Sequence, residues 1–158
     1  METEEKTTVV TEELLKLVSF KIDEAEFGVD ILRVQEINKM MELTTVPNTP
    51  AYVEGVVNLR GRIIPVLNLR ARLGIPLKEY DDKTRIIVIE LEDKTIGFIV
   101  DEVKEVLRIP KDITEQPPDI VSGVDSDFIT AIGKLENRLL ILLDLNRVLA
   151  NEETGSLV

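Results

Sequence analysis

Residues 53–76, VEGVVNLRGRIIPVLNLRARLGIP, hold two apolar runs, VEGVVNL and RIIPVLNL, joined by Arg60-Gly61. Runs of Val, Ile and Leu this long favour extended chain, and Gly61 supplies the positive φ that a tight hairpin corner needs. The stretch therefore reads as a β-hairpin. It is followed by a single helical turn at LRARL, where Leu69 and Leu73 stand at i, i+4 and Gly74 and Pro76 close the turn. Pro65 has no backbone donor, so the second strand is expected to be an edge, or bulged at that point. The same 24 residues carry Arg60, Arg62, Arg70 and Arg72 in a chain of net charge -11, with no carboxylate between Glu54 and Glu79.

The hairpin recurs. Displacing the chain on itself by 76 residues lays YVEGVVNLRGRIIPVLNLRARLG on FITAIGKLENRLLILLDLNRVLA without a gap. Tyr52 meets Phe128, Arg62 meets Arg138, Asn68 meets Asp144 and Leu73 meets Leu149, while Arg60-Gly61 meets Glu136-Asn137. A second pairing, offset by 71, sets Phe27-Gly28-Val29-Asp30 on Phe98-Ile99-Val100-Asp101. Aliphatic strands align easily by chance, but the ungapped length and the second match in the same order favour a duplication. Each half of about 75 residues would bury only a marginal core alone, so the two are expected to be packed together or interleaved.

Outside the hairpins, short Val/Ile/Leu/Phe runs separated by turn signals such as DEAE, EYDDK, EDK and PPD give a predominantly β pattern. Helical stretches are few: part of 10–16, LRARL and LNRVL. Residues 1–14 and 151–158 read as polar tails around a folded domain at 15–150.

Composition removes several functions. The chain has no His and no Cys, which excludes Ser-His-Asp and Cys-His catalysis within it and removes the usual zinc ligands. Thirty acidic against nineteen basic residues repel a phosphate backbone, and six aromatics, two Tyr and four Phe, give no stacking platform for nucleic acid. A single glycine in the turn, with no Gly-x-x-x-x-Gly-Lys, excludes a phosphate loop. Asp81-Asp82 and Asp125/Asp127 lack calcium-loop spacing and read as turn residues. No catalytic residue, metal or cofactor is expected. No apolar run spans a bilayer, and the N-terminus lacks a secretory signal. Isolated surface charges usually contribute little, so Arg70 and Arg72 are expected to be solvated. Apolar residues among charges in FGVDILRVQEI and IVDEVKEVLRI suit either core or a partner's helix.

Taken together, FGVDILRVQEI, NTPAYVEGVVNLRGRIIPVLNLRARLG and IGFIVDEVKEVLRI resemble the bacterial chemotaxis coupling family CheW, over about residues 15–150. The resemblance implies an all-β fold of two five-stranded SH3-like β-barrels packed around a shared hydrophobic core, with short helices. It implies a non-enzymatic cytoplasmic adaptor, recruited to membrane-associated receptor arrays without inserting into the membrane. Its partners would be the cytoplasmic signalling tip of chemoreceptors and the regulatory domain of the histidine kinase CheA. By position, receptor contact falls on Val34, Glu36 and Arg60, with Val103 and Val106 from the second half. Kinase contact falls on Met41, Leu43 and Val46 in the first half and Ile120 in the second. Gly55, Gly61, Gly97 and Gly133 match glycines that serve backbone geometry. A CheV-like coupling domain, or a CheA regulatory domain used outside a full-length protein, is the alternative.

Overall fold

The hairpin read at 53–68 is present, and the computed structural model describes residues 13–150 apart from 119, 122 and 123. Of the expected tails, only Glu13 and Leu14 fall among the described residues. The strands are β1 (Leu14–Ile22), β2 (Ala25–Asp30), β3 (Val34–Lys39), β4 (Val53–Leu59), β5 (Arg62–Asn68), β6 (Arg85–Leu91) and β7 (Lys94–Val100), then β8 (Glu102–Pro110), β9 (Thr114–Glu115), β10 (Ile120–Val121), β11 (Val124–Asp125), β12 (Ile129–Lys134) and β13 (Leu139–Leu143). The two expected helical turns form as α1 (Leu69–Leu73) and α2 (Leu145–Val148). Helix over part of 10–16 does not hold at its C-terminal end, because Leu14–Lys16 pair with Pro110–Arg108 on β8.

Among the described residues, one large sheet has the order β3-β6-β7-β5-β4, a second has β8-β1-β2-β13-β12-β9, and β10 and β11 form a separate two-stranded sheet. The first closes on itself: beyond β3, Thr44 exchanges backbone hydrogen bonds with Val56 on β4, at 2.9 and 2.8 Å. In the second, β8 runs through a 3-10 turn at Lys111–Ile113 into β9, which pairs with β12. Counting β8 and β9 as one bent strand, each barrel is five-stranded, and closure leaves few free sheet edges.

Neither barrel is a contiguous half. β1 and β2 join the C-terminal hairpin β12–β13, whereas β6 and β7 join β3–β5. The duplication is visible in detail. Bulges interrupt the register at Val53/Gly55 and at Ile129/Ala131, 76 residues apart. Asn68 N donates to Tyr52 O at 2.8 Å, and Asp144 N donates to Phe128 O at 2.9 Å. Asn68 and Asp144 each cap their helix by accepting from the backbone N–H three residues on.

The N-terminal equivalence differs from the offset of 71. Parallel pairing sets Gly97 beside Val66 and Gly28 beside Leu142, so Gly28 corresponds to Gly97 at an offset of 69. The turns Asp23 (φ 55) and Glu92 (φ 54) and the bulges at Val34/Glu36 and Val103/Glu105 agree with that offset. A slip of two residues keeps every side chain on its own face, so the apolar pattern alone could not distinguish 71 from 69.

Pro65 also departs from expectation. β5 lies between β4 and β7, and Pro65 pairs in register with Val56. The ladder to β7 begins only at Val66, so the missing donor forfeits no bond there.

Three apolar clusters result. Phe20, Phe27 and Phe98 centre the largest, with ring centroids 5.7 Å apart for Phe20–Phe27 and 5.8 Å for Phe20–Phe98. Because Phe98 comes from the first barrel and Phe20 and Phe27 from the second, this cluster is a core shared by both. Val57, Ile64, Val66, Ile86, Val88 and Ile99 fill the first barrel, and Leu17, Ile109, Leu140 and Leu142 the second.

Candidate docking site on the first barrel

Arg60 and Gly61 form the β4–β5 corner with φ of 52 and 85, and Gly61 N donates to Asn58 Oδ1 at 2.9 Å. Two successive positive φ values match the twist of a two-residue hairpin, which fixes where the Arg60 side chain emerges. Across the barrel seam, Asp30 accepts from Leu32 N at 3.0 Å and starts the 3-10 turn that feeds β3. A bulge between Val34 and Glu36 then turns Glu36 toward the corner.

Arg60 and Glu36 meet bidentately. Nη1 donates to Oε2 at 2.7 Å and Nη2 to Oε1 at 2.8 Å. The hydrogen bond from Arg60 holds the Glu36 carboxyl below its ordinary pKa, and Glu36 in turn raises Arg60. Glu36 is largely covered while Arg60 keeps 71% of its side chain exposed. The carboxylate anchors the Nη1/Nη2 edge of the planar guanidinium fork, leaving Nε–H and the outer Nη hydrogens for an external acceptor. Ile37 and Ile63, the chain neighbours of Glu36 and Arg62, are solvent-facing at 40% and 65% exposure.

The structure brings together Glu36 and Arg60, with Val34 two residues before Glu36 on β3 and packed against the shared core. Val103 and Val106 lie on β8 in the other barrel, Val103 against the shared core and Val106 exposed. Met41 and Leu43 pack on the first barrel's own core, and Val46 is half-buried, its carbonyl accepting from Thr49 Oγ1 at 3.0 Å. Ile120 pairs with Asp125 through its backbone, and its side chain lies outside the described residues.

At Gly55 the constraint is room as much as dihedral angle: a Cβ would stand 2.5 Å from Thr44 O, at the bond that closes the barrel. At Gly97 and Gly133, neither of which has a positive φ, added Cβ atoms would press on Ile86 Cγ2 at 3.0 Å and Ile109 Cδ1 at 3.2 Å. Packing explains both.

Arg70 and Arg72 are not solvated surface charges. Arg70 is 6% exposed and donates to both Asp101 oxygens, at 3.0 and 2.7 Å, to Pro76 O at 2.6 Å and to Asp23. Arg72 lies over the Tyr52 ring at 4.7 Å and the Phe128 ring at 4.9 Å. Local spacing could not reveal this, because apart from Pro76 and Tyr52 the partners are 31 to 78 residues away. The only signal was the repeat, which already made Tyr52 and Phe128 equivalents.

Residues 16–153 match the family model described as CheW-like domain. The chain belongs to the CheW family. It is 38% identical to the chemotaxis protein CheW of Bacillus subtilis over 143 residues, covering 90% of this chain and 92% of that protein. With CheW of Thermotoga maritima the identity is 39%, covering 85% and 87%. The scaffolding protein TtCheW from Thermoanaerobacter tengcongensis superimposes with a TM-score of 0.83 at 35% identity, over 92% of this chain and 94% of that one. Helicobacter pylori CheV3 is 30% identical over 85% of this chain but only 47% of its own length, so the full-length likeness is to CheW proteins rather than to CheV. Within that family frame, the Arg60–Glu36 pair has no counterpart at the equivalent corner of the repeat, where Glu136-Asn137 stands.

Proposed function

We propose that this CheW-family chain is a non-enzymatic adaptor that couples the cytoplasmic tip of chemoreceptors to the regulatory domain of CheA, in the cytoplasm at receptor arrays. The observation that carries the reading is the exposed, pre-oriented Arg60–Glu36 pair. A planar donor already held by one carboxylate loses little side-chain freedom on binding a second acceptor. Val34, Val103 and Val106 are assigned to the same receptor contact, and Met41, Leu43, Val46 and Ile120 to the kinase contact. The names of the relatives, chemotaxis protein and scaffolding protein, support the reading, as does the lack of His and Cys. No helix among the described residues is long and apolar enough to cross a membrane.

The test is Arg60→Glu. Circular dichroism and thermal melting are expected to match the parent, while affinity for a receptor signalling hairpin falls by about tenfold or more, the loss of one hot-spot side chain. Binding to the CheA regulatory domain is expected to persist. Failure of the parent protein to bind either partner at micromolar concentration overturns the adaptor reading, and an unfolded variant makes Arg60 structural.

A further inference from the structure

We infer that Arg72 is a positioning residue: it locks the two barrels in one relative orientation and thereby links the docking corner of the first barrel to the end of α2 in the second. The inference rests on the adaptor reading for its functional consequence and on geometry for its physical one.

Arg72 projects from α1, which follows β5 without a break, and β5 starts at the Arg60-Gly61 corner. Its guanidinium lies between two rings, Tyr52 before β4 at 4.7 Å and Phe128 before β12 at 4.9 Å. These rings are equivalents in the duplication, so the cation sits between the matching elements of the two barrels. It also donates to the end of α2, Nε to Val148 O at 2.7 Å and Nη2 to Ala150 O at 2.9 Å and Arg147 O at 3.3 Å. Those carbonyls belong to a helix terminus, where intrahelical donors run out. One side chain thus satisfies the end of α2 and stacks on an aromatic from each barrel.

The arrangement is asymmetric. At an offset of 76 the mate of Arg72 is Val148, a fully buried aliphatic. The duplicated frame would be met by an apolar residue at both places, as it is at Val148. The planar fork at position 72 instead reaches across the pseudo-symmetric boundary, and a lysine, with a single point-like ammonium, could not donate from two separate nitrogens while presenting a flat group to both rings. Arg70, two residues earlier, holds Asp23 from the β1–β2 turn on another side of α1. It limits how far the barrels can part, whereas Arg72 fixes their rotation.

With no native cysteine, Ile63→Cys and Leu139→Cys accept spin labels cleanly, one on each barrel at exposed equivalent positions. The distance distribution between the labels is expected to broaden in Arg72→Lys and in Phe128→Leu while far-ultraviolet circular dichroism is unchanged. In a reconstituted assay with the unlabelled proteins, Arg72→Lys is expected to keep pairwise affinity for a receptor hairpin and for the CheA regulatory domain. Receptor-dependent control of kinase activity is expected to fall by about fivefold or more, the size of an ordinary coupling energy. An unchanged distance distribution, or fully retained kinase control, overturns the inference, and so does loss of both pairwise affinities together. Absence of pairwise binding by the parent protein would instead defeat the adaptor reading while leaving the distance result standing.

Discussion

Arg60, Arg62, Arg70 and Arg72 give an acidic chain one cationic island, yet each has a different task. Arg60 faces solvent on a Glu36 anchor. Arg62 donates to Thr95 Oγ1 at 2.7 Å, the place where its mate Arg138 pairs with Glu26 at 2.9 Å. Arg70 is buried among carboxylates and Arg72 between rings. The sequence showed the island and could single out Arg60, but a buried ion pair between distant segments leaves no local trace. Arg70→Ala is expected to cost about 3 kcal/mol in chemical denaturation, because it strands Asp101 in a partly buried site. The pH dependence has a definite sign. Burial alone would raise the Asp101 carboxyl, but the bonds from Arg70 and Asp23 N and the nearby Lys78 charge outweigh it and hold its pKa below the ordinary value. Its stabilisation is therefore complete above the ordinary carboxylate pKa of about 4 and is lost as pH falls through the lower folded value. In Arg70→Ala burial acts unopposed by that arginine, so the acid limb of the stability curve is expected to move to higher pH. An unmoved limb would show that Arg70 does not hold the carboxylate ionised.

Among the elements, the caps offer the sharpest comparison. Asp144 accepts from Arg147 N at 3.3 Å and Asn68 from Ala71 N at 3.2 Å. Asn68 is buried and its Nδ2 also donates to Tyr80 OH at 3.2 Å and Glu54 Oε1 at 3.4 Å. Burial and the Glu54 charge push the Tyr80 hydroxyl up to about 12, so it stays protonated near neutrality. Asp144→Ala is expected to lower stability by about 1 kcal/mol, the usual worth of a cap. Asn68→Ala is expected to cost more, since it also removes the Nδ2 donor shared by Tyr80 OH and Glu54. Equal losses in thermal unfolding would assign both residues to capping alone. These helices were legible because Leu spacing and cap chemistry are local. The position of Pro65 and the offset of 69 were not, since both depend on which strand lies alongside, and that is a tertiary fact.

For the whole molecule, the exchange of strands between halves governs stability. A cut after Pro76 leaves β1 to β5 in one piece and β6 to β13 in the other. The first piece then holds β3, β4 and β5 without the β6–β7 pair that lies between them in the sheet order, and β1 and β2 without β13 or β8. Phe20 and Phe27 would be separated from Phe98, dividing the shared core. Each fragment, at about half the chain, would bury too little apolar surface to offset its conformational entropy. Neither fragment is expected to show dispersed amide resonances alone. Mixed together, they are expected to recover the spectrum of the intact chain, because every missing strand partner is then supplied in trans. Two barrels held only by a surface contact would behave otherwise: they would melt in separate steps. The intact chain, with Phe98 of one barrel packed on Phe20 of the other, is expected to unfold in one cooperative transition, with near-ultraviolet and far-ultraviolet signals falling together. Separate transitions would show that the shared core contributes less cohesion than each barrel's own.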